Sequence, residues 1–442
     1  MSTMQTRRDL LQAHQLMTQR AALALICGEP DAPDQPLRRV NIGTICGVLA
    51  GVITVGVFAV LGLLGVGPAT GLTQPGTLVV DKDTATAYVP CQNGKLCPVL
   101  NYASALLTLD TNNVNRVAVS QSSLARYSIG PVIGIPGLPQ DLPVAANLVK
   151  GPWSVCTQQG QTVLVGGQAP GGPPLGTGSA VLVANPQGSD WVIWNAERLP
   201  ITPALMLALF GQQPQQVPET WLDALPQGPG FAAPAIAALG QVVTGPDGNQ
   251  APAGQVFTVG GAGVPQQNFV LLKDGRLAPV TTTQAQLLER LPAAPAPVPI
   301  SPSQATSHLS GTTIARGGLP ATIPKPAAVT SPLCVSGGQV TTGGTVPSGA
   351  TSTGATGGIQ VDAVWLPPGH GALIGVGQPG TATTYFLLAG ATRYALASPQ
   401  VASVLGYDLA RQAVILPASV VDLIPQGPAM DPGAATQRAP GG

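Results

Sequence analysis

One long apolar run interrupts the mixture of hydrophobic and polar positions near the start of this chain. Residues 42–66 read IGTICGVLAGVITVGVFAVLGLLGV and contain no charged side chain. At about 1.5 Å per residue this run spans roughly 37 Å as a helix, enough to cross a bilayer core of ~30 Å. The alternative is a cleaved signal peptide, but 41 residues precede the run and no A-x-A site follows it. The pattern therefore predicts a transmembrane helix over 42–66.

Basic residues are concentrated before this segment. Five arginines precede it, ending with Arg38 and Arg39, and the first basic residue after it is Lys82. Because the cytoplasmic flanks of membrane helices are enriched in Lys and Arg, we expect a cytoplasmic N-terminus and an extracytoplasmic chain after residue 66. The expected regions are a cytoplasmic amphipathic helix and linker (1–41), the membrane helix, an extracytoplasmic body (67–430) and a flexible Pro/Gly/Ala-rich tail (431–442).

Two features of the first 66 residues indicate contacts with other helices or surfaces. Apolar residues spaced three to four positions apart predict a helix over 6–28, which ends at Gly28. This helix lies either on the inner leaflet or a cytoplasmic partner, or packs on its own subunit. Within the membrane segment, Gly43, Gly47 and Gly51 repeat every four residues and form a stripe along which a second helix can approach closely.

The six cysteines follow the same division of the chain. Cys27 and Cys46 belong to the cytoplasmic and membrane segments. The other four lie outside, where disulfides persist: Cys91, Cys97, Cys156 and Cys334. Four cysteines allow three pairings. We favour a Cys91–Cys97 pair, which encloses an Asn-Gly hairpin signal, and a Cys156–Cys334 pair, which joins distant parts of the chain. A zinc site is the alternative, but no C-x2-C pair is present, so we expect no metal.

Beyond residue 66 the pattern changes to short apolar strands, turns and short helices. A unit of two strands, a short helix and a Leu-Pro or Ile-Pro ending recurs most clearly at 189–230 and 383–429, which close with LPQGP and IPQGP. A shorter copy at 266–292 contains the hairpin signal Asp274-Gly275, and a degenerate copy is placed at 98–143. The sequence thus predicts about four small repeats.

Composition narrows the class of protein. Gly (56) and Pro (46) supply nearly a quarter of the 442 residues, which disfavours a compact helical enzyme and favours short strands with many turns. Three stretches rich in Gly, Pro and Ser are predicted to lack regular structure: 166–178, 292–303 and 336–358. Only 9% of residues are charged, with 19 of each sign, so the basic footprint of a nucleic-acid-binding protein is missing.

No local pattern nominates a catalytic site. None of the five lysines follows the glycine loop of a P-loop. Residues 375–380 match G-x-G-x-x-G, but the residues that follow predict a strand and not the helix that dinucleotide binding requires, so we interpret this match as a hairpin turn. His370 lies in a loop of Pro and Gly, and no pair of carboxylates is singled out for glycoside hydrolysis. We therefore expect no enzymatic activity and no cofactor.

Several segments taken together resemble the EccB family of type VII (ESX) secretion systems. Besides the single membrane span and the repeat endings, they are TRRDLLQAHQLMTQRAALAL at 6–25, PDAPDQPLRR at 30–39, CPVLNYASALL at 97–107, IGPVIGIPGLPQDLP at 129–143 and GPWSVC at 151–156. Their order and spacing extend over nearly the whole chain.

The resemblance implies a fold, partners and a location. The implied fold is a single transmembrane helix followed by an elongated α+β extracytoplasmic region, with a central β-rich core and about four small strand–turn–helix repeat domains. The implied partners are the FtsK/SpoIIIE-type ATPase EccC, EccD, EccE and further copies of the chain, at the inner membrane with most of the chain periplasmic. Cys156 and Cys334 match the family's core disulfide, whereas the pairing of Cys91 with Cys97 depends on the local turn alone.

The expected function is that of a structural membrane component, which anchors and oligomerises a secretion channel on the periplasmic side. ATP hydrolysis has been proposed for the family, but no nucleotide motif is present in this sequence. The alternative function is a cell-wall (peptidoglycan) binding module or hydrolase tethered to the membrane.

Overall fold

The computed structural model describes residues 7–28, 36–63, 71–261, 264–315, 317–354, 359–377 and 382–440. The chain separates into two compact units, Met1–Thr70 and Gly71–Gly442.

The N-terminal unit contains two helices, α1 (Arg7–Cys27) and α2 (Pro36–Leu63). Helix α2 begins six residues before the predicted membrane segment, at a proline, which is favoured in the first turn of a helix because its missing N–H has no helical partner there. The last three residues of the predicted segment, 64–66, and Thr6 of the other predicted helix lie outside the described residues.

The second unit is built mainly from short strands. In chain order they are β1 Thr77–Asp81, β2 Ala87–Cys91, β3 Lys95–Pro98, β4 Asn115–Val119, β5 Trp153–Gln158, β6 Gln161–Gly166, β7 Ser179–Ala184, β8 Asp190–Trp194, β9 Glu197–Ile201, β10 Gln215–Gln216, β11 Val242–Thr244, β12 Gln250–Pro252, β13 Val256–Gly261, β14 Val264–Leu271, β15 Leu277–Val280, β16 Val298–Pro299, β17 Lys325–Pro326, β18 Leu333–Ser336, β19 Gln339–Thr342, β20 Thr351–Ser352, β21 Ala363–Trp365, β22 Gly371–Val376, β23 Thr384–Ala389, β24 Thr392–Ala395 and β25 Ala413–Leu416.

The helices of this unit are also short. They are α3 Tyr102–Leu109, α4 Gln121–Leu124, α5 Pro203–Phe210, α6 Glu219–Asp223, α7 Thr282–Glu289, α8 Pro302–Ser307, α9 Pro399–Val404, α10 Leu409–Gln412, α11 Ala418–Val421 and α12 Pro432–Ala435.

Within the described residues, four sheets share one connectivity, which we call a module. Three antiparallel strands are followed by a helical segment and by a last strand that returns parallel to the first. The chain then forms a parallel bridge to the third strand. The modules, from first strand to this bridge, are module I (77–129), module II (179–227), module III (256–309) and module IV (371–426).

Local sequence signals explain the turns and helix starts inside a module. In module III, the Asp274-Gly275 pair forms the hairpin turn between β14 and β15, where Gly275 has a positive φ of 73°. Helix α7 then starts with a capping box, in which Thr281 and Gln284 satisfy each other's backbone N–H groups. The hairpin turn and the cap place the helix directly after the third strand.

A six-stranded sheet in the order β19-β18-β5-β6-β21-β20 lies between modules II and IV. One face of this central sheet, with Trp153, Val155 and Leu164, shares a buried core with Ile193 of module II and Ile374 of module IV. The opposite face carries both cysteines of one disulfide and is covered by Val346. The central sheet is therefore the element on which these two modules meet.

The other two modules pack outside this arrangement. Helix α3 of module I shares a core with β23 and α9 of module IV, and Leu287 of module III is buried with Met206 and Phe231 next to module II. Along the packing order, module I contacts IV, IV contacts the central sheet, the sheet contacts II, and II contacts III.

The observed modules start earlier than the repeat limits predicted from sequence. Modules II, III and IV begin one strand before the predicted 189, 266 and 383, and module I begins at 77 and not at 98. The first strand pairs in parallel with the last strand of its module, and this long-range pairing leaves no local signal.

Three predictions of disorder differ from the structure. The stretch 292–303 contains β16, the last strand of module III, and the start of α8. In the stretch 336–358, residues 355–358 lie outside the described residues. The stretch 336–358 contributes β19 and β20 to the central sheet, because pairing with β18 and β21 satisfies a backbone that has few side chains to bury. The predicted flexible tail is wrong for 431–440: α12 packs on α3, and Ala435 is fully buried. Two backbone hydrogen bonds, from Gly134 N to Gln437 O and from Ala439 N to Val132 O, fix this segment to the chain before β5.

Candidate assembly surfaces and binding cavities

The apolar side chains of α2 are exposed. Between Ile42 and Val60 the mean hydropathy is 2.2 and no residue is buried. Val55 and Phe58 each expose 70% of their surface. These 19 residues extend over roughly 28 Å, close to the ~30 Å core of a bilayer. Helix α2 is therefore long and apolar enough to cross a membrane.

The predicted helix-packing stripe lies open on α2. A Cβ atom placed on Gly43, Gly47 or Gly51 would meet no heavy atom of another element within 4 Å. The same holds for Gly56, which lies off this stripe. A second helix approaching the stripe can bring its backbone closer than at the neighbouring valines. Within the described chain no second helix occupies this position.

Helix α1 also exposes its apolar side chains. Met17 exposes 71% and Leu25 88% of their surface, and Leu10 and Leu16 are exposed as well. Arg7 and Arg8 are exposed at the start of the same helix. A helix with this mixture of apolar and basic groups is suited to a lipid surface or to a partner helix.

The Cys156–Cys334 disulfide joins two adjacent strands of the central sheet. The two cysteines are directly opposite each other in the antiparallel pair β5–β18, with a Cα–Cα distance of 4.0 Å. Both are almost fully buried. The bridge therefore connects the strand before module II with the strand that follows module III, 178 positions later in the chain.

The Cys91–Cys97 disulfide closes the hairpin between β2 and β3. Its Cα–Cα distance is 5.8 Å, and Asn93 between the cysteines takes a left-handed conformation with φ of 61°. The bridge packs against the backbone of Gly130, where a Cβ atom would collide with the sulfur of Cys97. The structure thus contains both pairings that the sequence favours.

Modules II and IV each contain an equivalent ion pair, which sequence analysis did not single out. Arg198 Nη1 donates to Asp223 Oδ1 at 2.8 Å, and its guanidinium lies 5.2 Å from the ring centre of Trp191. In module IV, Arg393 donates to Asp422 at 2.9 Å and lies 5.0 Å from the ring of Phe386. Each arginine lies on the third strand of its module and forms a parallel bridge with the glutamine of the PQGP segment. The common PQGP endings are therefore the sequence signal that could have identified this ion pair.

A groove of about 650 Å³ in module III is lined by neutral polar groups. Asn268 donates to Thr282 Oγ1 at 3.3 Å and accepts from Gln266 Nε2 at 3.0 Å. Gln284, almost fully buried, donates to Ala315 O at 2.7 Å. Phe269 adds an aromatic wall, and no described residue of the lining is charged. Fixed amides and hydroxyls of this kind hydrogen-bond neutral polyhydroxylated molecules.

The G-x-G-x-x-G match covers 375–380, of which 378–380 lie outside the described residues. Gly375 belongs to β22, and the next described strand, β23, pairs with it antiparallel. The next element that the structure describes is therefore a strand, whereas a dinucleotide site has a helix at this place in its strand–turn–helix unit. His370 is half-buried in its loop, with Nδ1 2.9 Å from Pro368 O. Among the described residues, no group of three His, Cys, Asp or Glu side chains is arranged to hold a metal.

Comparison with known proteins relates this chain to one family. The family described as "Type VII secretion system ESX-1, transport TM domain B" matches residues 3–440. An ESX-2 secretion system ATPase EccB2 from Mycobacterium tuberculosis is 32% identical over 232 residues, 48% of this chain and 46% of the relative. An ESX-5 secretion system ATPase EccB5 from Mycobacterium marinum is 29% identical over 326 residues, 67% and 62% of the two chains. The alignment with the first of these relatives thus spans about half of its length.

Solved structures share the fold. A chain of an intact ESX-5 inner membrane complex aligns with a TM-score of 0.66 at 23% identity, covering 100% of this chain and 96% of that chain. A chain of an EccB3 dimer from the ESX-3 core complex aligns with a TM-score of 0.63 at 23% identity, covering 81% and 99%. One candidate membrane helix followed by a β-rich body of mixed sheets is therefore an architecture that this chain has in common with these proteins.

Proposed function

The chain belongs to the EccB family of type VII (ESX) secretion systems, and from that premise we propose that it is a structural membrane component of such a system. The family match over residues 3–440 carries this proposal, because it includes the candidate membrane helix and the β-rich body together. In this function α2 anchors the chain in the inner membrane, and the body holds neighbouring subunits of the assembly on the periplasmic side.

The proposed orientation places α1 in the cytoplasm and the unit Gly71–Gly442 in the periplasm. The excess of arginine before α2 supports it, because positive flanks stay on the cytoplasmic side. The two disulfides also support it, because such bridges persist in the periplasm and not in the cytoplasm.

The proposed partners are further copies of the chain and the ESX subunits EccC, EccD and EccE. The open glycine stripe of α2 is the proposed contact for a membrane helix, and the exposed apolar residues of α1 are the proposed contact on the cytoplasmic side. Structures titled as an ESX-5 inner membrane complex and as an EccB3 dimer support assembly of this kind.

We further propose that the four modules are the repeat domains of this family. Their common connectivity and the common bridge to the third strand support a shared origin. In this function they act as rigid spacers, because each contacts a neighbouring module or the central sheet through buried apolar residues.

The proposal is tested by gentle extraction of the tagged full chain, followed by native sizing and mass spectrometry. We expect a large complex that contains an FtsK-type ATPase and a protein with many membrane spans. A tagged single-span protein unrelated to secretion is the control for non-specific association. A monomer or dimer that stays alone after mild crosslinking would contradict the assembly function.

The groove of module III favours a second function, binding of cell-wall glycan. Its lining offers amide and hydroxyl groups that are already fixed by hydrogen bonds, together with one aromatic wall. Glycoside hydrolysis requires two carboxyl groups, and none belongs to the described lining. We therefore propose binding at this groove and not turnover.

Sedimentation of the full chain with isolated peptidoglycan tests this second function. Gln266→Ala combined with Thr282→Ala removes two groove hydrogen-bonding groups and should reduce the bound fraction several-fold. Gln250→Ala, an exposed amide on β12 outside the groove, should leave binding unchanged. Equal binding by the wild type, the double variant and Gln250→Ala would exclude the groove as the glycan site.

A further inference from the structure

The last strand of each module forms an edge of its sheet, and three of these four edges are short or partly covered. In module II the last strand, β10, has two residues, and β17 also pairs with its partner strand β7. In module III, β16 has two residues, one of which is Pro299, which has no N–H. In module IV, all four residues of β25 are at least partly buried. Module I differs, because β4 has five residues and exposes Asn115, Arg116 and Ala118.

The backbone of β4 has one side without a partner strand. At both ends β4 bonds toward β1: Asn115 N donates at 2.9 Å to the residue before β1, and Val119 O accepts at 2.9 Å from the residue after it. The direction of the backbone groups alternates along a strand, so Arg116 and Ala118 point their N–H and C=O groups away from β1. Among the described residues, no strand or bridge lies on that side.

Open edges of this kind are usually protected by proline or by a charged side chain. Module III has the proline: Ile300 N donates to Thr258 O at 2.9 Å, so Pro299, one position earlier, points away from β13. In module I the only charge on β4 is Arg116, whose guanidinium donates to the hydroxyl of Tyr102 and lies 4.8 Å from the centre of its ring. This side chain is held on the face covered by α3, and the backbone edge stays open to a strand.

The edge of β4 is complementary to a second copy of itself. When two β4 strands run antiparallel with Val117 on the two-fold axis, Arg116 of each copy lies opposite Ala118 of the other. Each of these pairs exchanges two hydrogen bonds, so all the outward backbone groups of both residues are paired. A register with Arg116 on the axis would instead place two like charges directly opposite each other, which is destabilising.

The small size of this edge is compatible with pairing in a membrane. Five residues of one strand bury far less than the interface of about 1,600 Å² that is typical of stable complexes in solution. Two copies held in one bilayer by α2 meet at a much higher effective concentration, so a short strand pair is sufficient.

We propose that β4 pairs with β4 of a second copy of the chain, antiparallel and with Val117 on the two-fold axis, so that the sheet of module I continues across two chains. This inference rests on the proposed function, from which it takes self-association in the membrane, and it assigns that association to one strand. The surface is distinct from the glycine stripe of α2 and from the groove of module III.

Cysteine crosslinking of the full chain in membranes tests this register. With Cys27 and Cys46 replaced by alanine, the four remaining cysteines are paired in the two disulfides. Val117→Cys then places two thiols directly opposite each other, at a Cα–Cα distance of about 4.5 Å, which is within the range of disulfides. Mild oxidation should give a covalent dimer on a non-reducing gel.

Asn115→Cys is the matched control on the same strand. Asn115 is more exposed than Val117 and has the same side-chain direction, two positions away. In the proposed register the two copies of this residue are four positions apart, roughly 13 Å along the strand, so their thiols cannot meet. Asn115→Cys should therefore give little or no dimer.

A second pair of variants tests the backbone bonds. Ala118→Pro in the Val117→Cys chain removes the outward N–H of each copy and should reduce the dimer roughly tenfold, the effect of two neutral hydrogen bonds. Ala118→Ser keeps the N–H and should leave the dimer unchanged. Because the Ala118 N–H points away from β1, the proline variant loses no bond of its own sheet and should melt at the same temperature as the serine variant.

Co-purification of two differently tagged copies separates this inference from the proposed function. Copies that co-purify without a Val117→Cys dimer, or with equal dimer from Val117→Cys and Asn115→Cys, would overturn pairing at β4 and leave the proposed function intact. A Val117→Cys dimer that is insensitive to Ala118→Pro would overturn the hydrogen-bonded register. Copies that do not co-purify at all would contradict both the pairing and the proposed self-association.

Discussion

Replacing Cys156 and Cys334 by alanine should lower the free energy of unfolding of the unit Gly71–Gly442 by about 5 kcal/mol. The two cysteines are 178 positions apart, and both strands that they join are also held by backbone pairing. Without the bridge, the unfolded chain regains the entropy of a long open loop. The loop-closure relation gives about 5 kcal/mol at 25 °C for this length.

The second disulfide supplies a matched control in the same protein. Cys91 and Cys97 are separated by six positions and also join adjacent antiparallel strands. The same relation gives about 2 kcal/mol for this short loop. Because both pairs are cross-strand bridges, loop length is the main difference between them, and their alanine variants should differ by about 3 kcal/mol.

Urea unfolding of the full chain in nanodiscs, followed by tryptophan fluorescence, measures this difference. Alanine is preferred because serine would bury two hydroxyl groups at positions of 0% and 1% exposure. The serine pair should therefore have a still lower melting temperature than the alanine pair. Wild-type protein reduced in advance is the second reference. Equal losses for the two alanine pairs, or a larger loss for the Cys91–Cys97 pair, would refute the loop-entropy argument.

Three other predictions concern different parts of the chain. Gly47→Leu with Gly51→Leu should reduce co-purification of the proposed partner subunits several-fold while the unfolding of the unit Gly71–Gly442 stays unchanged, and Gly56→Leu, off the stripe, should have no effect. Equal yields from the wild type, the double variant and Gly56→Leu would exclude the stripe as a contact. Burial raises the pKa of Asp190, so its charged form opposes folding. This group favours folding most at low pH and loses that contribution as the pH rises, so Asp190→Asn should raise the melting temperature at pH 7 and lose this advantage below about pH 4; a constant difference across pH would contradict this cause. Ending the chain at Met430 should cost about 3 kcal/mol, from two lost backbone hydrogen bonds and two buried alanines, and an unchanged urea midpoint would show that α12 contributes nothing.

Elements with a local cause could be predicted from the sequence. The membrane helix follows from one uncharged run, and the turns at Asn93-Gly94 and Asp274-Gly275 follow from residues that tolerate a positive φ. The two disulfide pairings follow from a short hairpin loop and from the two cysteines that remain. Apart from Cys156 and Cys334, which are 178 positions apart, the determining residues are close together in the chain.

Elements that depend on distant partners could not be predicted. The segment 339–342 has little to bury, yet it forms β19 because β18 offers a free edge. The C-terminal residues 431–440 read as a disordered tail, but they fill a site between α3 and the chain before β5. Trp153 was visible only as part of the GPWSVC motif, and its indole packs on Gly166, where a Cβ atom would collide with the ring.

The residue at one equivalent position divides the four modules into two classes. At the bridge in the third strand, modules II and IV have Arg198 and Arg393, whereas modules I and III have Leu96 and Leu277. Both leucines are fully buried, and both are followed by a proline two positions later and then by valine.

The division corresponds to position in the packing order. The two arginine modules contact the central sheet, and the two leucine modules lie outside them. Each arginine donates to an aspartate at the end of the following short helix, at 2.8 and 2.9 Å, and stacks on an aromatic ring of the second strand. This pair fixes the helix that completes the buried core shared with the central sheet, because Leu222 and Val421, each directly before its aspartate, belong to that core. In the part of the chain that the structure describes, the buried core shared with the central sheet includes no residue of modules I and III, which have a buried leucine at the same position. The residue at the bridge in the third strand, arginine or leucine, therefore distinguishes the two modules that pack on the central sheet from the two that do not share its core.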